Sequence, residues 1–209
     1  MKPSNQPDPR EAEWIAAAKK GDQDAFAALV RQYEKRVFAL TTRLCGNAED
    51  AQEAAQEAFL AAWQGLQFFR GESSFSTWLY RLVSNACVDL LRKEGRHRSA
   101  AGPSFNDEEA AIDVADDSPS PHALAEQAEL RQQIEAGLAA LPEEYRQVLI
   151  LREMHQQTYD EIAEILSLDL GTVKSRINRG RKRLRKILLD SGNFSASPAS
   201  KETEKEGCK

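Results

Sequence analysis

Apolar residues recur along most of this chain at intervals of three and four, the spacing of helices with one face turned inward. Phe26, Leu29, Val30, Tyr33, Val37 and Leu40 make the longest stripe, on a helix that Asp22 can cap and that runs to about Leu44. A shorter helix, Arg10 to Lys20, precedes it and is closed by Gly21. Cys45-Gly46-Asn47 supplies the next turn, because Gly and Asn tolerate left-handed backbone, and a third helix covers about Glu49 to Leu66. Gln67 to Ser73 reads as a loop, and a fourth helix runs from near Phe75 to about Arg92. The periodicity stops between Gly95 and about Pro121 and returns from His122 to Ala139, with Leu124, Leu130, Ile134 and Leu138 inward. Pro142 suits the first position of a helix reaching about Arg152. Thr158-x-x-Glu161 is a capping box opening a short helix to Leu166, and Ser167-Leu168-Asp169 leads tightly into a last helix, about Leu170 to Leu189.

The predicted fold is all-α: two small helical domains joined by a flexible acidic linker, the C-terminal one containing a helix-turn-helix. Residues 1–9 form a loose arm, 10–94 the first domain, 95–121 the linker, 122–189 the second domain and 190–209 a polar tail. A chain of 209 residues with 41% hydrophobic content supports two modest cores. Its net charge of -5 conceals a sharp asymmetry: eight Lys or Arg and no acid from Lys174 to Lys186, against eight acids and no Lys or Arg from Ser99 to Leu130. The basic end is suited to nucleic acid, and the self-repelling acidic stretch to a linker. Cys45, Cys87 and Cys208 are isolated, as are His97, His122 and His155, so neither a disulfide framework nor a metal-ligand spacing is present, and no cofactor is expected. No Ser-His-Asp, Cys-His or Gly-rich phosphate motif suggests catalysis or a small-molecule substrate. No stretch nears the ~20 apolar residues that span a bilayer and no signal-peptide core opens the chain, which predicts a cytoplasmic protein without membrane insertion.

Three constellations could carry function. In the first, Ile162, Ala163 and Ile165 give one short helix an inner face, and Val173, Ile177, Gly180 and Leu184 give the next a single inner stripe. Two such helices joined by a tight turn have helix-turn-helix design, whose second helix enters the DNA major groove. Outside the stripe sit Thr172, Lys174, Ser175, Arg176, Asn178, Arg179, Arg181, Lys182 and Arg183, able to reach phosphates and base edges. The second runs from Phe69 to Arg81, with four aromatics in twelve positions among serines and arginines, followed by Asn85, Asp89 and Arg92 on one helical face. Arg70, Ser73, Phe75, Trp78 and Arg81 could grip unpaired bases, while the same aromatics could equally form a core seam. The third is the acidic helix face of Asp50, Glu53 and Glu57 with Gln56 beside it, and Phe59 and Trp63 further along. From spacing alone that face is a solvated surface unless a large basic or helical partner exists.

In this order the three stretches resemble the extracytoplasmic-function (ECF) sigma factors of bacterial RNA polymerase. The likeness is carried by Asp50 to Trp63, by Phe69-Arg70-Gly71-Glu72-Ser73-Ser74-Phe75-Ser76-Thr77-Trp78-Leu79 through Asn85 and Asp89 to Arg92, and by Tyr159 to Leu184 with Gly171-Thr172-Val173-Lys174-Ser175-Arg176. It implies promoter-specific initiation without catalysis, core RNA polymerase and promoter DNA as partners, and an anti-sigma factor able to hold the chain at the membrane. It also implies that the helix bearing Asp50, Glu53, Gln56, Glu57, Phe59 and Trp63 docks on core polymerase. The segment with Arg70, Ser73, Phe75, Trp78, Arg81, Asn85, Asp89 and Arg92 would open the −10 element, and the basic last helix would read the −35 element. The acidic linker would thread polymerase toward the RNA exit channel. Ala54, Ala55 and Ala58 stand where larger aliphatics are common in the family, which implies lighter packing of that helix. Two other classes stay open on residues alone: a dimeric helix-turn-helix regulator that footprints a palindrome unaided, and an enzyme.

Overall fold

The computed structural model describes residues 9–95 and 121–191; the expectations for the arm, acidic linker and tail, Cys208 included, fall outside them. Among the described residues every regular element is helical. The N-terminal half holds α1 (Glu11–Ala18), α2 (Gln23–Cys45), α3 (Ala48–Gly65), a 3-10 turn (Leu66–Phe68) and α4 (Phe75–Gly95). The C-terminal half holds α5 (Pro121–Ala139), α6 (Glu143–Leu149), a π-helical turn (Ile150–Met154), α7 (Tyr159–Leu166) and α8 (Leu170–Asp190).

Short polar side chains set where the helices begin. Asp22 accepts from the backbone N–H groups of Asp24 and Ala25 at the start of α2, and Gly46, at φ +80°, ends that helix in left-handed backbone. Asn47 then caps α3 by accepting from the Asp50 N–H, and its own amide donates to the Asp50 carboxylate. Thr158 and Glu161 form the expected reciprocal box on α7, and Asp169 caps α8 through the Thr172 N–H. Pro142 sits one position earlier than expected: its extended ψ of 141° makes it the N-cap, and the helix starts at Glu143.

Leu29, Tyr33, Val37 and Leu40 of α2 are buried, with Phe26 and Val30 half-buried beside them. Against them lies an alanine seam on α3: Ala51, Ala54, Ala58 and Ala62 are all 0% exposed. Small side chains let the backbones of α2, α3 and α4 lie close to one another. In the C-terminal half Gly180 does the same for α8, since a Cβ there would lie 3.1 Å from Leu149 Cδ1 and 3.3 Å from Tyr145 Cβ. Leu130, expected inward on α5, is 43% exposed, whereas Leu138 is buried and Ile134 half-buried. Ile134 and Leu138 are the positions that join the core.

The helix expected to continue to Arg152 does so, but its last turn widens. The His155 N–H reaches back five residues to the Ile150 carbonyl, and Gln156 then adopts φ +56°. This turn delivers His155 to α4, where its ring meets Tyr80 edge-on with centroids 5.3 Å apart. The two halves therefore touch: α7 lies against α4, and α5, α6 and the π turn approach α2. Arg43 of α2 pairs with Glu135 of α5 at 3.4 Å, and Arg146 of α6 donates to the carbonyls of Leu44, Ala139 and Leu141.

Burial, aided by the nearby Arg43 and Arg36 cations, pushes the His155 imidazole from 6.5 down to about 4. The unfolded chain consequently binds the extra proton between those two values. Stability is full above pH 6.5 and falls as pH drops toward 4, by about 3 kcal/mol across the window. Urea titrations at about pH 7 and about pH 4.5 should show that slope, and His155→Leu should flatten it. An unchanged slope in the variant would place the proton uptake elsewhere. Gly180→Val should cost at least about 2 kcal/mol in the same assay, because α8 cannot move away from Leu149 without losing its buried stripe; a neutral result would show that the helix pair is loosely held.

Candidate functional site

The structure distributes the three constellations over α3, over α4 with the loop before it, and over α8. Among the residues of α3 that face solvent, Glu53, Gln56, Glu57 and Leu60 follow one another at helical spacing on the side opposite the alanine seam. Leu60 is 57% exposed and was not anticipated, although its place three residues after Glu57 and four after Gln56 puts it on the same face. Asp50 does not join them: it is 7% exposed and bound into the Asn47 cap. Phe59 and Trp63 lean inward, half-buried, with the Trp63 ring 5.0 Å from that of Phe26.

The aromatic-rich segment divides between core and surface. Phe75 is 3% exposed at the centre of a cluster, with Tyr33, Phe69 and Trp78 rings at 5.4, 5.9 and 5.7 Å. Lys19 Nζ donates to the Phe69 carbonyl and stands 5.4 Å over its ring, tying the start of the loop to the end of α1. Gly71, at φ +75°, turns the loop, and Ser74 Oγ accepts from the Thr77 N–H in the first turn of α4. Held this way, the loop presents Arg70 and Glu72 to solvent, with Ser73 half-exposed. Phe68 is 75% exposed beside them. Sequence reasoning passed over it, yet Phe68-Phe69 is a doublet in a tight turn, where only one ring can enter the core. Along α4, Asn85, Asp89 and Arg92 are exposed on one face and Arg81 is half-buried; Asp89 and Arg92 lie 3.9 Å apart.

The last helix buries Val173, Ile177 and Gly180, with Leu184 half-buried after them. Lys174, Ser175, Asn178, Arg179 and Lys182 point to solvent. Hydrogen bonds from the Thr172 hydroxyl and backbone to Asp169 hold that carboxyl below the usual carboxylate range. The remaining three candidates make contacts within the protein, Arg181 and Arg183 while staying exposed. Arg176 pairs with Glu144 at 3.3 Å, Arg181 is gripped by Glu153 at 2.6 Å, and Arg183 stacks 4.7 Å over the Tyr145 ring. The Glu153 hydrogen bonds raise the pKa of Arg181 further. These cations fasten α8 to α6 and the π turn, while their neighbours carry the free positive field. Arg176 also shares a cleft of about 760 Å³ with Asn85, Asp89 and Arg92 of α4, so the structure brings together residues expected to serve two different elements.

Among the described residues no group of three or more His, Cys, Asp or Glu is arranged to hold a metal ion, and no helix is long and apolar enough to cross a membrane. Cys45 and Cys87 are buried free thiols that meet between α2 and α4; their mutual hydrogen bond and burial raise the Cys87 pKa, leaving an unreactive thiol.

Residues 29–97 match the family model of Sigma-70 region 2, and residues 131–184 that of Sigma-70 region 4. The chain is 37% identical over 178 residues to the ECF RNA polymerase sigma factor SigW of Bacillus subtilis, covering 84% of this chain and 95% of that protein. It is 35% identical over 174 residues to the ECF RNA polymerase sigma-E factor of Escherichia coli K12, covering 80% and 88%. Its fold is similar to that of the sigma factor RpoE solved with the anti-sigma factor NepR from Bartonella quintana, with a TM-score of 0.61 at 24% identity over 78% of this chain and 96% of that one. Both family segments in order, with relatives matched along nearly their whole length, make the conclusion plain: the chain belongs to the ECF sigma factors, which direct RNA polymerase to initiate transcription at specific promoters.

Proposed function

We propose that the three exposed faces divide the work of initiation, each on its own helix. The face of Glu53, Gln56, Glu57 and Leu60 docks on core RNA polymerase, its acids meeting a basic surface and Leu60 supplying an apolar anchor. The loop from Phe68 to Ser73 and the α4 face of Asn85, Asp89 and Arg92 engage the −10 element, where an unstacked base needs both an aromatic surface and polar edges. The α8 face of Lys174, Ser175, Asn178, Arg179 and Lys182, joined by Arg176 once it leaves Glu144, reads the −35 element in the major groove. The chain does this in the cytoplasm and catalyses no reaction of its own. The Bartonella quintana relative solved with an anti-sigma factor supports an anti-sigma partner here as well.

The observation that carries this reading is the sidedness of α3, α4 and α8. Each has one buried face, and each concentrates on the other the chemistry its target requires. Incubation of the purified chain with bacterial core polymerase, followed by run-off transcription on a genomic library, should give stable association and new discrete start sites. Failure to associate would remove the proposed role of α3. Leu60→Ala with Glu57→Lys should weaken association about tenfold without changing promoter choice. Arg176→Ala should weaken −35 binding about tenfold, while Asn85→Ala should impair melting more than closed-complex formation. Equal loss of core affinity in all three variants would show that the roles are wrongly divided.

A further inference from the structure

The loop from Phe68 to Ser73 carries part of the −10 chemistry proposed above, and the inference drawn from its supports rests on that reading. Its apex stands clear of the protein. At Gly71, φ +75°, nothing lies within 4 Å of the position a Cβ would take, and the side chains of Arg70 and Glu72 are 83% and 82% exposed. The path of such a loop is set at its two ends. After the apex, Ser74 Oγ accepts from the Thr77 N–H and shares hydrogen bonds with the Ser76 and Thr77 hydroxyls, which fixes the start of α4. Before the apex, the Phe69 ring enters the cluster of Phe75 and Trp78, and its backbone leaves the 3-10 turn extended, at ψ 111°.

A buried ring anchors a side chain, but the peptide plane that follows it can still turn about the two soft dihedrals on either side. That plane joins the Phe69 carbonyl to the Arg70 N–H, and it is held from another helix. Lys19, the residue that closes α1, donates from Nζ to the Phe69 carbonyl, and the same ammonium stands 5.4 Å over the Phe69 ring. The helix behind it is itself fixed to α2. Ala18 is buried, Gly21 turns the chain at φ +94°, Asp22 caps α2, and the Tyr33 hydroxyl donates to Glu11 at 2.6 Å. We propose that Lys19 is a positioning residue for −10 recognition: it acts through the Phe69 carbonyl, sets the direction in which the loop presents Arg70 and Ser73, and touches no DNA itself. By this route α1, which carries none of the three faces, takes part in reading the promoter. Lys19 is exposed, and a hydrogen bond from an exposed cation contributes little to global stability, so its effect is on orientation.

The test compares Lys19→Met, which keeps the length of the side chain and removes its charge and donors, with Lys19→Arg, which keeps both. Amide hydrogen exchange across residues 70–74 is measured on the full chain. Holoenzyme made with core polymerase is then titrated with a single-stranded oligonucleotide copying the −10 region of a start site mapped by run-off transcription, and with a scrambled strand of the same composition. Lys19→Met should speed loop exchange about fivefold and lower the preference for the −10 strand about fivefold. Its melting temperature, its binding of the scrambled strand and the salt dependence of binding should match the parent chain, and Lys19→Arg should restore the preference. Unchanged exchange together with unchanged preference would overturn the proposal. Equal loss on both strands, with a salt slope shallower by about 0.7, would also overturn it, because Lys19 would then be a phosphate contact. Faster loop exchange in Lys19→Met, where the parent holoenzyme does not distinguish the two strands, would uphold the tie and sink the −10 assignment of the loop instead.

Discussion

How near two helices can lie is set by what stands between them, and in this chain the positions between them are small. Ala51, Ala54, Ala58 and Ala62 run down the inner side of α3, and Gly180 occupies the crossing of α8 on α6. Gly137 brings α5 to α8, where a Cβ would meet Leu184 and Leu188 at 3.0 and 3.1 Å. Close approach multiplies dispersion contacts and leaves little room for a helix to rotate about its axis. Because the inner faces cannot turn, the outer faces cannot either. The acidic side of α3 and the basic side of α8 are aimed by the small buried residues behind them.

Charge is distributed by the same logic. The last helix is dense in cations, but they do two different things. Arg181 and Arg183 turn back onto Glu153 and Tyr145 and fasten the helix to its scaffold, while Lys174, Arg179 and Lys182 stay in solvent. A helix carrying so much like charge repels itself, and pairing some of it with nearby acids and rings lowers that repulsion while leaving the remainder exposed as a positive field.

Much of this was legible in the sequence because helix periodicity and capping are local. Asp22, Gly46 and the Thr158–Glu161 box each announce a boundary within four residues, and the stripes of α2 and α8 follow from spacing alone. The features that stayed hidden depended on long-range packing. Asp50 shares a helical face with Glu53 and Glu57 on paper, yet Asn47 draws it into a cap. Phe75 was read as a ring that could stack on bases or join a core seam, and the cluster around Tyr33 took it inward, while Phe68, passed over in the sequence, stayed outside. Nothing in the local pattern announces that His155 will be carried onto Tyr80, because that contact joins residues from opposite halves of the chain.

The π turn at Ile150–Met154 has a consequence that reaches past its own hydrogen bonds. Relative to an α-helical turn it holds one surplus residue, and each residue in a helix is worth about 100° of rotation. The end of that helix, with His155 on it, is offset by that angle before Gln156 breaks the helix. The compass bearing of the His155 ring, and with it the contact on Tyr80, is therefore recorded as a residue count in this turn.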